Sequence, residues 1–163
     1  MSFERAVAFT LSQEGGEVND PADPGGLTKW GISQRAYPAL DIAGLTREHA
    51  TDLYEADYWT KGRCEQLPWP LSLAHFDAGV NMGLGLAAKL LQRALGLFPA
   101  DGIIGPETLA RVQMIADDPA AVRAVTYRQL LERVFAYRQI GNLTFLRSWI
   151  VRVEDLYRLV LTS

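Results

Sequence analysis

"LSQEGGEVNDPADPGGLTKWGIS", residues 11–33, sets a helix ending directly against an acid-rich, proline-broken loop. Phe3, Val7 and Leu11 recur every four residues ahead of it, which predicts an amphipathic helix. Gly15-Gly16 is a natural C-terminal stop for that helix. "DPADPGG" then forces turns, so residues 17–33 read as a loop or short hairpin. The last residue before the glycines is a carboxylate, Glu14. At about 100° per residue, Phe3, Val7, Leu11 and Glu14 fall within roughly 80° of one another. Glu14 therefore belongs to the apolar face, at the last turn, where the chain opens into the loop.

The remainder of the chain reads as helices separated by short punctuation. Thr46 can cap a helix reaching about Tyr58, and another runs from about Pro70 to Met82, stopped by Gly83. A third spans about Leu86 to Leu95 and ends at Gly96. Gly105-Pro106-Glu107 opens a helix with proline at its first position and an acid in its first turn. Asp118-Pro119 repeats that logic for a long helix ending near Gly141. The last, about Leu143 to Leu161, carries Leu146, Trp149, Ile150, Val153, Leu156 and Val160, and its apolar surface predicts burial against the others. With no repeat and no linker, the reading is one mainly α domain over residues 1–163.

Composition narrows the function classes. The chain has 163 residues, is 48% hydrophobic and carries a net charge of −3, which suits a globular domain and argues against a strong nucleic-acid binder. The single Cys64 cannot form an internal disulfide and reads as a small core residue. "MSFERAVAFTLSQEGG" lacks the apolar run of a secretory signal, and no segment nears the roughly 18 apolar residues of a membrane span. The expectation is synthesis in a cytoplasm, no stable membrane insertion, and export by some other agent.

The chemistry points to acid catalysis. Partial burial and the negative end of the helix dipole both disfavour a charged Glu14 and raise its pKa, as a general acid requires. The competing reading is a buried ion pair with Arg5 or one of the C-terminal arginines. Clearing side chains with glycine favours the first reading, because a ligand can then approach. Asp20 and Asp23 could supply a second carboxylate, or simply make turns before proline. Trp30, Tyr37, Tyr58 and Trp59 could stack on sugars or fill the core. Asp77 and Asn81 lie at i, i+4 on one helix face, with Asn81 beside the small Gly79 and Gly83. His49 and His75 sit on separate helices and, with one cysteine, make a poor zinc set, so no metal or other cofactor is expected. No nucleophile-elbow motif is present.

"EGG…NDPADPGGLTKWGIS", "RAYPALDI" and "DYW" at residues 57–59 resemble the muramidases of glycoside hydrolase family 108, found among phage endolysins and secretion-associated bacterial proteins. That family's catalytic glutamate lies in an E-x-G-G motif, which falls here on Glu14-Gly15-Gly16. "FDAGVNMG", "LLQRALG" and "DGIIGPETL" resemble its C-terminal part, often labelled a peptidoglycan-binding segment, so residues of about 1–83 and 84–163 correspond to a catalytic half and a helical half. A looser likeness to helical phage lysozymes places an aspartate and a threonine after the glutamate, matched by Asp23 and Thr28, with Asp20 competing for the first role.

The resemblance implies a lysozyme-like helical fold and hydrolysis of the β-1,4 bond from N-acetylmuramic acid to N-acetylglucosamine. Glu14 would be the acid, Asp20 or Asp23 with Thr28 would hold water, and Trp30, Tyr37, Tyr58, Asp77 and Asn81 would bind glycan. A carboxyl separation of roughly 5 Å would mean retention and roughly 6.5–9.5 Å inversion. It also implies a monomer that reaches peptidoglycan in the periplasm through a holin or similar pore. A lytic transglycosylase and a non-catalytic wall-binding or secretion-accessory protein are the rival readings.

Overall fold

The computed structural model describes residues 2–14, 27–141 and 143–162. Helix α1 (Ser2–Glu14) ends on the expected glutamate and buries Ala6, Val7, Phe9, Thr10 and Leu11. Strands β1 (Thr28–Lys29) and β2 (Ile32–Ser33) form a minimal antiparallel hairpin with Lys29 opposite Ile32. Its turn residues Trp30 and Gly31 have φ of 54° and 77°. A two-residue turn with both centres left-handed matches the twist of paired strands. The Tyr54 hydroxyl donates to the Trp30 carbonyl at 3.0 Å, tying the hairpin to the next helix.

That helix, α2 (Arg47–Tyr54), begins as the sequence indicates, with the Thr46 hydroxyl accepting from the His49 amide at 3.2 Å. It continues as a π-helical segment, Glu55–Thr60, so the wider turn repositions Tyr58 and Trp59. Helices α3 (Leu71–Met82) and α4 (Leu84–Ala94) meet at Gly83, whose φ of 84° suits glycine. Helix α5 (Pro106–Gln113) starts at its proline. Helix α6 (Pro119–Ile140) is capped by Asp118, whose carboxylate accepts from the Ala120 and Ala121 amides. Gly141, with φ 71°, ends it, and α7 (Leu143–Leu161) follows.

Helix α3 is the axis of the molecule. Every residue from Leu71 to Gly79 is buried, and α1, α4 and α6 pack around it. Phe76 on α3 meets Phe3 of α1 and Trp59 of the π segment, with ring centroids 6.0 and 5.6 Å apart. Residues from both ends of the chain, Val7 and Leu11 with Val153 and Leu156, join this same core. A second cluster, including Leu71, Leu91, Ile104, Val112 and Val125, binds α4, α5 and α6 together. Cys64 is fully buried, and its thiol is pushed up by that burial, in keeping with a core residue.

Helix α7 corrects one expectation. Among the described side chains of this helix, only Arg152, Val153, Leu156 and Val160 turn fully inward, while Phe145, Val151, Tyr157 and Leu161 are exposed. The helix packs along α6 and leaves its other side exposed to solvent at these residues.

His75 gives the core a pH dependence. It is 1% exposed on α3, and its Nδ1 stands 3.3 Å from the Gln129 amide nitrogen. Burial lowers its pKa to about 4, against smaller opposing effects of the Gly62 and Ala87 backbone. In the unfolded chain the imidazole titrates near about 6.5. The folded value is depressed, so its stabilising effect is complete above about pH 6.5 and lost as pH falls towards about 4, up to ~3 kcal/mol. The urea midpoint is expected to fall between pH 6.5 and 5, with a shallower fall in His75→Gln; parallel slopes would exclude this assignment.

Candidate active site

The C-terminal end of α1 is the place from which the site is built. Thr10, one turn before Glu14, donates from its hydroxyl to Asp77 Oδ1 at 3.1 Å, fixing the helix end against α3. Gln13, the neighbour of Glu14, lines a groove of about 610 Å³ together with Asn81 from α3 and Trp149 from α7. A glycan-sized opening thus begins where α1 ends. The side chain of Glu14 and the residues Asp20 and Asp23 lie outside the described residues.

The groove is backed by a polar network crossing four helices. Asp77 is fully buried, and it accepts from Arg133 Nη1 at 2.7 Å and from Arg152 Nη2 at 2.7 Å. Arg133 Nε donates to the Tyr137 hydroxyl at 2.7 Å, and that hydroxyl donates in turn to Asn81 Oδ1. Burial alone would raise the Asp77 pKa; the attraction of Arg133 and Arg152 outweighs it and holds the carboxyl below the ordinary aspartate range. Thr10 on α1, Asp77 and Asn81 on α3, Arg133 and Tyr137 on α6, and Arg152 on α7 are thereby locked in one register.

This overturns the expectation that Asp77 binds glycan. A fully buried carboxylate saturated by two guanidinium groups and a hydroxyl has no face left for a sugar. Its helix mate Asn81 does reach the groove, half-buried and held by Tyr137. Asp77 makes a buried carboxylate–arginine pairing of its own, while the same alternative for Glu14 falls on a side chain outside the described residues. Arg133, Tyr137 and Arg152 were not singled out from the sequence. The available signal was an arginine on an otherwise apolar stripe, as Arg133 stands among Leu130, Ala136 and Tyr137.

The aromatic candidates divide. Tyr37 is half-buried and donates its hydroxyl to Asp57 Oδ2 at 2.7 Å. Burial first, and then the Asp57 carboxylate, push its pKa well above the usual tyrosine range. Lys61 and then Tyr37 hold the Asp57 carboxyl below its ordinary value. Tyr58 is half-buried beside Tyr54, with ring centroids 5.8 Å apart. Trp30 and Thr28 sit half-buried on the hairpin, Trp30 packed on the core. Trp59 is 7% exposed and serves the core. Tyr37 and Tyr58 share the π-segment side of the molecule, whereas Asn81 belongs to the groove at α7.

Among the described residues, no cluster of three or more His, Cys, Asp or Glu side chains could hold a metal ion, and no helix is long and apolar enough to cross a membrane.

Comparisons with known proteins fit this geometry. The family described as glycosyl hydrolase 108 matches residues 7–83, from the middle of α1 to the end of α3. A solved structure titled "Structure of Brucella abortus SagA" is similar over 98% of this chain and 94% of that one, with a TM-score of 0.83 and 30% sequence identity. No curated protein matches the chain. The likeness extends through the helices beyond residue 83, so the two findings together cover the fold from end to end. The chain belongs to glycosyl hydrolase family 108, with a mainly α, lysozyme-like fold and glycosidase activity directed at peptidoglycan in general.

Proposed function

We propose that this glycosidase is an N-acetylmuramidase, hydrolysing the β-1,4 bond between N-acetylmuramic acid and N-acetylglucosamine. The observation that carries the reading is the placement of Glu14 as the last residue of α1, with Thr10 anchored to Asp77 and Gln13 opening onto the groove. In this reading Glu14 protonates the glycosidic oxygen as the bond breaks towards an oxocarbenium-like state. Asp20 or Asp23 activates or orients the incoming water, and Thr28 helps to hold it. Asn81, fixed by Tyr137, offers an amide to the sugar's polar groups. The enzyme acts as a monomer on the wall, as an endolysin or secretion-associated muramidase, reaching it through a holin-like pore.

The products decide between hydrolysis and transglycosylation. A hydrolase adds water at the muramic acid carbon, while a transglycosylase closes the sugar's own 6-hydroxyl onto it. Digestion of purified peptidoglycan is expected to give reducing muramic acid ends, each fragment heavier by one water than its anhydro counterpart in mass spectra. Predominantly anhydro fragments would replace the hydrolase reading by a transglycosylase. Intact glycan would leave a non-catalytic wall-binding role.

A further inference from the structure

The described residues that line the groove at the end of α1 differ in charge from the chain as a whole. Net charge is −3, yet among the described residues that line this groove the ionisable side chains are Arg147 and Arg152. Arg152 is 7% exposed and donates to Asp77. Arg147 is exposed on α7 and makes no ion pair with any described residue. Asp155, on the same helix, accepts from Gln13 at 3.4 Å and faces Arg158 at 3.8 Å. Trp149 stands beside Arg147, held against Tyr137 with ring centroids 4.7 Å apart. A rigid aromatic, an amide from Asn81 and a guanidinium without an ion pair among the described residues line one opening of about 610 Å³.

The glycan backbone of peptidoglycan offers neutral hydroxyls and acetamido groups, none of which calls for a guanidinium. The anionic groups are the carboxylates of the stem peptide attached to the lactyl ether of muramic acid. Guanidinium pairs with carboxylate through parallel hydrogen bonds, a geometry a neutral sugar does not reproduce. We propose that this groove is a stem-peptide subsite, in which Arg147 pairs with a peptide carboxylate while the glycan runs past the end of α1. The proposal rests on the muramidase reading and adds to it a preference for peptide-bearing strands.

The test compares wild type, Arg147→Ala and Arg147→Lys on soluble glycan strands carrying stem peptides and on the same strands after an amidase has removed them and the lactyl carboxylates freed by that hydrolysis have been converted to neutral amides. Release of reducing ends is followed at low and high salt. Arg147→Ala is expected to raise KM on peptide-bearing strands about fivefold, with kcat within about twofold, and to raise it distinctly less on bare strands. Arg147→Lys should recover part of the loss, and the difference between substrates should shrink in high salt. An unchanged KM on peptide-bearing strands, or the same loss on both substrates, would overturn the subsite. Failure of the wild type to cleave either substrate would instead overturn the muramidase reading, and the subsite with it. Melting temperatures of the three proteins, expected to agree, separate lost recognition from lost folding.

Discussion

Glu14→Gln is expected to lower wall lysis by at least about 10²-fold while leaving the melting temperature near that of wild type. The amide keeps the size of the side chain but has no proton to give the leaving oxygen. The end of α1 is held by contacts that this change does not touch: Thr10 bonds to Asp77, and Val7 and Leu11 pack in the core. A collapse of activity is therefore expected without a collapse of structure. Turbidity of permeabilised Gram-negative cells, read beside thermal unfolding, gives both quantities. A folded variant that lyses at the wild-type rate would remove Glu14 from the mechanism and leave the groove without its acid.

Asp77→Ala should produce the largest loss of stability. Removing that carboxylate leaves Arg133, 1% exposed, as a buried cation without the carboxylate that it pairs with, and takes the same carboxylate from Arg152. Breaking a buried pair in this way costs about 3–5 kcal/mol, a large share of the roughly 5–15 kcal/mol that stabilises an ordinary domain. A shift in melting temperature of roughly 10 °C follows for a chain of this size. Activity should fall as well, because the Thr10 contact that fixes the end of α1 goes with it. Asp77→Ala combined with Arg133→Met should cost less than the two single changes added together, since the double variant no longer leaves the Arg133 charge without its carboxylate. A melting temperature within a degree or two of wild type would mean that the network is not what holds these helices in register.

The fold was legible in the sequence wherever a few adjacent residues carry the instruction. Thr46 and Asp118 accept from amides two or three residues ahead, Pro106 and Pro119 open helices, and Gly83, Gly96 and Gly141 turn the chain through positive φ. Each is a local steric or hydrogen-bonding fact, and each set a boundary that the structure keeps. The position of Glu14 at the end of α1 follows in the same way from the apolar spacing and the glycines behind it.

Tertiary structure decided what those helices meet. The spacing of Asp77 and Asn81 puts both on one face of α3, but it does not reveal that Arg133 and Arg152 arrive from 56 and 75 residues away to claim the aspartate. Only packing distinguishes the buried end of that face from the end at the groove. The apolar stripe on α7 likewise does not state how many neighbours it will have, and its packing along α6 leaves Val151 and Tyr157 in solvent. The π-helical turn at Glu55–Thr60, which aims Tyr58, carries no local mark either. Caps and stops are settled by atoms a few bonds apart, and the sequence determined them. The fate of a buried charge depends on which distant side chain reaches it, and that was settled only when α1, α3, α6 and α7 closed around Asp77.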